Sequence, residues 1–275
     1  MSECTHNCST CGSDCASRKS ESLLTPLNQY SKVKKVIGVV SGKGGVGKST
    51  VTALLASATS AKGKRVAVLD ADITGPSIPK AFGLTEKAFG TAENLLLPVK
   101  SEGGVQIMSV NLVLEDETKP VIWRGPILAG VVKQFWGETV WEDVDYMYVD
   151  MPPGTGDVPL TVFQSIPLDG IVIVTTPQDL VSMIVEKAVN MAKLMNVPIL
   201  ALVENMSYYP CPHCGEKLFP FGKSKLEDIS AKIGVDCVAR MPIDSSVAAA
   251  CDEGNVEKVT TEALDGVLDK ILALK

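Results

Sequence analysis

The segment GKGGVGKST, from Gly42 to Thr50, has the spacing G-x-x-x-x-G-K-[ST] of a phosphate-binding loop. Its glycines let consecutive backbone N–H groups face phosphate oxygens, and the start of the following helix adds partial positive charge. In such a loop Lys48 reaches the β- and γ-phosphates, and the Ser49 hydroxyl ligates Mg²⁺. A glycine-rich turn that binds nothing is the alternative, which the flanking predicted strand and helix disfavour. The expected nucleotide contacts are Gly42, Lys43, Gly44, Gly45, Val46, Gly47, Lys48, Ser49 and Thr50.

Two groups of carboxylates follow predicted strands. Asp70 and Asp72 end the run RVAVLDAD, and Asp150 ends VDYMYVD, with Asp157 further along. Carboxylates at the C-terminal ends of buried parallel strands face the ligand crevice of an open α/β sheet. Because Mg²⁺ keeps several waters, one or two carboxylates suffice, and Asp150 is the predicted Mg²⁺-side residue. Asp70 and Asp157 can instead be turn or cap residues.

A third feature is the stretch YYPCPHCGEKLFPFG, residues 208–222, which carries Cys211 and Cys214. A tetrahedral thiolate site needs four ligands, so this pair is half of a metal site or not a metal site. A tetrahedral set of thiolates can bind zinc as well as an iron–sulfur cluster, so geometry alone does not distinguish the two. A thioredoxin-like redox pair is disfavoured because that motif sits at a helix start.

The other cysteines divide into an N-terminal group and two isolated residues. Cys237 and Cys251 are expected to be core or helix-face thiols. Residues 1–31 are polar and are predicted to form a flexible tail that orders only if metal binds. Four thiolates within that tail can close a site in one chain, which leaves a [4Fe–4S] cluster, zinc or no stable site open. They are Cys4, Cys8, Cys11 and Cys15.

The elements that must position these residues alternate along the chain. Short apolar runs rich in β-branched residues are typical of strands buried on both faces of a parallel sheet, and helical patterns lie between several of them. This predicts a doubly wound, mostly parallel α/β domain over residues 32–275, with helices on both faces of the sheet. NLLLPVKSEGGVQIMSV, residues 94–110, is predicted to be an inserted hairpin. The predicted strands are VKKVIGVVS, RVAVLDAD, VDYMYVD, GIVIVTTP and VPILALVEN.

Composition limits the function classes. The chain has 275 residues, of which 45% are apolar and 21% charged, an ordinary globular mixture. A formal charge of −6 argues against unspecific nucleic-acid binding. The polar N-terminus without an apolar signal region, and the lack of a long apolar run, predict a cytoplasmic protein that does not enter membranes. In that compartment eight cysteines indicate metal or redox chemistry rather than disulfides.

Lys43 gives the loop the form KGGxGK[ST], which resembles the deviant P-loop ATPases, among them MinD, ParA and the nitrogenase iron protein. The segments VLDADITGPSIP, DMPPGTGD and ENMSY followed by a CPxC loop are similar to the Mrp/ApbC-type iron–sulfur carrier ATPases, over nearly all of residues 33–275. The resemblance implies a homodimer that sandwiches ATP and Mg²⁺. It also implies that the thiolates of Cys211 and Cys214 from two subunits hold one bridging [4Fe–4S] cluster.

The same resemblance assigns further roles. Lys43 contacts the nucleotide of the partner subunit and, with Lys48 and Asp72, forms the catalytic set. Asp72 orients the attacking water, and Asp70 supports the Mg²⁺ shell around Ser49 and Asp150. Asn205 is expected to read the adenine edge, since its amide offers a donor and an acceptor, although it can also cap a turn. Asp244, in RMPID, is the weaker second candidate for contact with the base.

These residues favour an ATP-hydrolysing carrier that assembles [4Fe–4S] clusters and passes them to apoproteins, with upstream scaffold proteins as further partners. The first alternative is a MinD/ParA-like positioning ATPase, which requires an amphipathic membrane helix or a basic DNA-binding patch. The C-terminal TEALDGVLDKILALK has an apolar face with nearly balanced charge, which supports surface binding only weakly. The second alternative is an ATPase that transfers electrons through a bridging cluster.

Overall fold

The computed structural model describes residues 23–72, 77–114, 125–154, 156–178 and 181–274. The strands are β1 Val33–Ser41, β2 Val66–Asp70, β3 Phe89–Gly90, β4 Leu96–Leu97, β5 Val99–Lys100, β6 Gln106–Met108, β7 Val144–Asp150, β8 Gly170–Thr175, β9 Ile199–Pro210, β10 Lys217–Leu218 and β11 Val238–Pro242. The helices are α1 Lys48–Ala61, α2 Ile78–Ala81, α3 Gly125–Gly137, α4 Asp157–Ser165, α5 Val181–Leu194, α6 Leu226–Ile233, α7 Ser245–Asp252 and α8 Asp265–Leu272.

Within the described residues, one sheet runs in the order β10-β9-β8-β1-β7-β2-β6-β5, and β11 pairs with β9. The pairings β8/β9, β1/β8, β1/β7, β2/β7, β2/β6 and β9/β11 are all parallel. The parallel order brings the C-terminal ends of β1, β7 and β2 to one edge of the sheet. The predicted fold class is confirmed.

Apolar side chains cover both faces of this sheet. On one face α1, α2 and α8 pack through residues such as Leu55, Ile78 and Ile271. On the other face, helices α3 to α6 contribute residues such as Phe135 and Leu226. Strands enclosed in this way must be apolar on both sides, which is why they read as continuous apolar runs.

The predicted hairpin at residues 94–110 is present and joins the main sheet. β5 and β6 are antiparallel, with Val99 opposite Ile107. β6 also pairs in parallel with β2, through Val68 and Ile107, so the hairpin extends the sheet rather than standing apart from it.

Residues 25–31, at the end of the predicted tail, lie against α3 and the loop after it. The Asn28 side-chain amide donates to the carbonyls of Gly137 and Thr139, at 2.9 and 2.7 Å. The Trp136 indole donates to the carbonyl of Thr25 at 2.7 Å. These contacts make residues 25–31 part of the folded domain, so a truncation that removes them also removes packing contacts of the domain. The cysteines at positions 4, 8, 11 and 15 lie outside the described residues.

Candidate nucleotide and thiolate site

The phosphate-binding loop connects β1 to α1 and leaves the start of α1 open. α1 begins at Lys48, after Gly47 in the left-handed conformation (φ +81°), and no side chain of the described residues caps it. The first backbone N–H groups of a helix have no partner inside the helix, so here they are available to phosphate oxygens. A Cβ at Gly47 would overlap the side-chain amide of Asn205, so position 47 requires glycine for space as well as for conformation.

Lys48 and three carboxylates meet at the sheet edge beside this loop. The Lys48 ammonium lies 2.8 Å from Asp150 Oδ2 and 3.2 Å from Asp72 Oδ2, with only 5% of its side chain exposed. Burial acts to lower the pKa of Lys48, but Asp150 and Asp72 outweigh it and raise that pKa above its usual value. Lys48 is therefore a fixed cation at the position where β- and γ-phosphates are expected.

Asp70 is almost completely buried, like Asp150. It is the register partner of Asp150 across the β2/β7 pair and is 1% exposed. Burial, followed by repulsion from Asp150, raises its pKa well above the usual range, and Lys48 and the Ser109 hydroxyl offset part of that rise. The Ser109 hydroxyl donates to Asp70 at 2.9 Å, and the backbone N–H of Asp72 donates at 3.1 Å.

The two expected Mg²⁺ ligands from different elements are adjacent. The Ser49 hydroxyl donates to Asp150 Oδ2 at 2.6 Å, and the Thr52 hydroxyl donates to Asp150 Oδ1 at 2.7 Å. A hydroxyl and a carboxylate at the mouth of a phosphate-binding loop are oxygen ligands that Mg²⁺ accepts together with phosphate and water. The residues present thus fit Mg²⁺, and Thr52 orients the carboxylate that would bind it.

A cavity of about 290 Å³ adjoins the loop and is lined by Gly47, Thr50, Asn205, Asp244 and segments of β11 and α7. The Asn205 amide donates to the carbonyl of Val46 at 3.0 Å and accepts from the backbone N–H of Met206 at 2.9 Å. One donor and one acceptor lone pair of that amide remain for a base. Asp244 caps α7, because its Oδ1 accepts from both the N–H and the hydroxyl of Ser246.

β9 runs past Asn205, where the sequence pattern predicted its end, and continues to Pro210. Met206 adopts a positive φ of 55°, and the register with β11 shifts between the Arg240–Glu204 and Pro242–Tyr208 pairs. This irregularity lets the strand bend at the nucleotide cavity and still remain paired. One strand therefore extends from the phosphate-binding loop to the residue before Cys211.

The thiolate pair lies at the tip of the β9/β10 hairpin, in which Pro210 is opposite Lys217. The Cys211 N–H donates to the carbonyl of Glu216 at 2.9 Å, which fixes the turn. Backbone N–H groups of Cys214 and His213, together with the Cys214 thiol, donate to the Cys211 sulfur and lower its pKa. Cys214 is exposed and Cys211 partly so. A thiol with a lowered pKa and open access is prepared to bind metal as thiolate.

Other candidate residues lie apart from this hairpin. Cys237 and Cys251 are half-buried, pack against the apolar core and have pKa values raised by burial, as expected for core thiols. Asp157 begins α4, and its side chain is outside the described part. Ser109 and Thr52 were missed by sequence reasoning. Thr52 follows Ser49 by three positions on a helix, a spacing that places both on one face; nothing in the sequence marks Ser109.

A family profile described as NUBPL iron-transfer P-loop NTPase matches residues 32–273. The chain belongs to this family. An iron–sulfur cluster carrier protein of Clostridium perfringens is 47% identical over 240 residues, covering 85% of this chain and 84% of that protein. A protein of the same description from Methanocaldococcus jannaschii is 43% identical over 262 residues, covering 92% and 90%. The resemblance to iron–sulfur carrier ATPases is confirmed.

Solved structures of nucleotide-binding proteins are also similar to this chain. A nucleotide-binding protein of Archaeoglobus fulgidus, determined with ADP, has a TM-score of 0.77 at 42% identity, covering 85% of this chain and 91% of that one. The cell-division ATPase MinD of Pyrococcus furiosus, at 20% identity and a TM-score of 0.62, covers 88% and 99% and shows the shared fold alone. Among the described residues, none of this family member's helices has the length and apolar character needed to cross a bilayer.

Proposed function

We propose that this family member binds and hydrolyses ATP and uses it to assemble [4Fe–4S] clusters and transfer them to apoproteins, with one cluster held between two copies of the chain. The observation that carries the proposal is β9, which places Asn205 against the phosphate-binding loop and ends next to Cys211. A change in the nucleotide site can therefore reach the thiolate pair along one continuous strand.

The nucleotide step follows from the charges at the sheet edge. Before ATP binds, Lys48 is held by Asp150 and Asp72. The phosphates supply competing negative charge, so Lys48 turns toward them and its ion pairs with the carboxylates weaken. Ser49 and Asp150 would hold Mg²⁺ at this position, and the ion would supply charge neutralisation to the phosphates. Asp72, at the end of the same cluster, orients the attacking water.

Adenine selectivity is assigned to Asn205 and the adjoining cavity. The remaining donor and acceptor of its amide match the edge of adenine, and Gly47 provides the space. Asp244 lines the same cavity and is the weaker second candidate for contact with the base, with Ser246 holding its carboxylate in place.

The cargo step uses the hairpin thiolates. Each chain contributes Cys211 and Cys214, and a two-fold axis through the hairpin tips assembles the four thiolates that a [4Fe–4S] cluster requires. Lys43 would then reach the nucleotide of the partner subunit, which couples dimer formation to hydrolysis. An exposed Cys214 allows a recipient protein to approach the cluster.

The test is transfer from the reconstituted protein to an apoenzyme that needs a [4Fe–4S] cluster, with activation of that enzyme as the readout. Cys214→Ala should abolish transfer, whereas the matched thiol deletion Cys251→Ala, in α7, should leave it unchanged. ATP should change the transfer rate of the parent protein but not that of Lys48→Ala. Equal transfer by Cys214→Ala and the parent protein would remove the hairpin from the mechanism.

A further inference from the structure

A second cavity, of about 370 Å³, lies at the base of the thiolate hairpin. We refer to it as the hairpin-base cavity; it is lined by Tyr208, Lys217, Phe219, Lys223, Ser224 and Arg240. None of these residues belongs to the nucleotide site or to the thiolate pair. Its walls nevertheless come from the two strands of the hairpin that carries the cysteines, β9 and β10, and from β11 and the segment before α6.

The cavity concentrates positive charge on a chain whose formal charge is −6. The Lys217 ammonium lies 4.3 Å from the centre of the Tyr208 ring, a cation–π contact that leaves its charge uncancelled. Lys217 and Lys223 are exposed, and among the described residues neither makes an ion pair with a carboxylate. The lysines therefore present two ammonium groups to a ligand.

Arg240 is the third cation that lines the cavity, and its contacts with neighbouring side chains fix its position. Its Nε donates to the Ser224 hydroxyl at 3.1 Å, and its guanidinium pairs with Glu227. Ser224 in turn donates to Glu204 at 3.0 Å, and Ser207 donates to the same buried carboxylate at 2.6 Å. Among the described residues, Glu204 and Glu227 are thus engaged by Ser207, Ser224 and Arg240, and neither is an ion-pair partner of Lys217 or Lys223.

Apolar side chains border the cations on the same hairpin. Tyr209, Leu218 and Phe219 are 40%, 46% and 41% exposed. In the part of the chain that the structure describes, β10 pairs only with β9, so its outer edge offers backbone groups to an added strand. A small anion would use the cations alone, whereas an extended peptide would use the cations, the apolar side chains and the strand edge.

We propose that the hairpin-base cavity docks an extended acidic segment, with carboxylates alternating with apolar residues, on the protein that exchanges clusters with Cys211 and Cys214. The identity of that partner as a cluster-exchange protein rests on the proposed function. Because Lys217 is the register partner of Pro210, a segment lying along β10 is held beside the thiolates. A second copy of this chain is the poorer occupant, since a two-fold contact through this surface sets cations against cations.

The test uses the full chain without a cluster and a fluorescently labelled nonapeptide in which Glu and Leu alternate, followed by anisotropy. Exposed charge pairs each contribute about 0.2–1 kcal/mol, so Lys217→Gln and Lys223→Gln should each weaken binding by about 1.4- to fivefold, and the double variant by about two- to 25-fold. Lys225→Gln is the matched control. It removes the same charge from an exposed lysine two positions from Lys223 that does not line the cavity.

Two further comparisons separate the contribution of charge to binding from that of the apolar contacts. Phe219→Ser keeps the net charge and should still weaken binding, and the peptide with Gln in place of Glu should bind poorly. Raising the salt concentration should weaken binding of the Glu peptide to the parent protein. Folding of each variant is checked by its circular dichroism spectrum and by its affinity for ADP, which these changes should leave as in the parent.

Several results would overturn the docking proposal. These are no binding to the parent protein, unchanged binding by the double variant, or an equal loss with Lys225→Gln. Displacement by glutarate at the peptide's own concentration would make the cavity a small-anion site. Dissociation of a dimer by the lysine changes would make it a surface between copies. Since the assay needs no cluster, lysine-dependent binding can hold even if the cysteine variants transfer clusters normally, and the two proposals fail separately.

Discussion

Asp70→Asn is expected to make the nucleotide-free protein more stable at neutral pH while impairing its Mg²⁺-nucleotide site. Asparagine preserves the shape of Asp70 and the acceptor for the Asp72 N–H, but removes a titratable group that faces Asp150 and is costly to ionise in the folded state. Because burial and Asp150 raise the pKa of Asp70, the carboxyl group destabilises the folded state at neutral pH by about 1.4 kcal/mol for each pH unit of that rise below the ambient pH, and asparagine removes this cost. For a domain of this size each kcal/mol corresponds to about 2–4 °C in Tm.

The pH dependence of folding stability tests the role of Asp70 more specifically. The pKa of Asp70 in the folded protein lies well above the ordinary value of 3.8, so the folded state holds a proton that the unfolded state has lost. Stability contributed at this site therefore falls as pH rises from about 3.8 to the folded pKa, by up to about 1.4 kcal/mol per pH unit. Asp70→Asn should flatten that decline, and Ser109→Ala should steepen it because Ser109 donates to the charged form.

The assay is thermal unfolding by circular dichroism between pH 5 and 8, in EDTA and without nucleotide. Wild type, Asp70→Asn and Ser109→Ala are compared, and the series is repeated with Mg-ADP. Mg-ADP should raise the Tm of wild type more than that of Asp70→Asn, because we propose that Asp70 supports the Mg²⁺ shell. The reasoning is refuted if Asp70→Asn is less stable than wild type at pH 7.5 without nucleotide, or if both show the same pH slope.

Three other predictions concern single features. Asp72→Asn should bind ATP and hydrolyse it about a hundredfold more slowly, measured by phosphate release; a wild-type rate would exclude the water-orienting role. Asn205→Ala should weaken ADP binding by about tenfold in calorimetry, since it loses its contact with Val46 and the base; an unchanged Kd would move base recognition elsewhere. Deleting residues 1–22 should leave Tm unchanged. Deleting residues 1–31 should lower the free energy of unfolding by about 1–3 kcal/mol, because the carbonyls of Gly137 and Thr139 lose the Asn28 amide that donates to them. Equal Tm values for the two deletions would contradict this.

The features that could be read from sequence are those set by local pattern. The strand, glycine-rich loop and helix from β1 to α1 follow from residues adjacent in the chain, and the carboxylates at the ends of β2 and β7 follow from apolar runs of fixed length. The helical patterns expected between the apolar runs are observed, for example as α5, Val181–Leu194. Each of these rests on periodicity over a short window.

The features that the sequence does not predict depend on pairing between segments that are far apart along the chain. β9 continues beyond Asn205 because β11, more than thirty residues later, pairs with it across a register shift at Met206. Ser109 contacts Asp70 only because β6 lies beside β2. The cap at Asp244 is predictable from the sequence alone, since Asp before Ser-Ser is typical of a helix start.

The central claim, one cluster shared by two chains, is tested most directly by iron, sulfide and zinc content combined with light scattering on protein lacking residues 1–22. The truncation removes Cys4, Cys8, Cys11 and Cys15 from the metal count and keeps the contacts of residues 25–31. The account predicts a dimer with one [4Fe–4S] cluster per two chains, and loss of both cluster and dimer in Cys211→Ala and in Cys214→Ala, with ADP binding intact. A truncated monomer that keeps a complete metal site, or a dimer that holds zinc without sulfide, would contradict it.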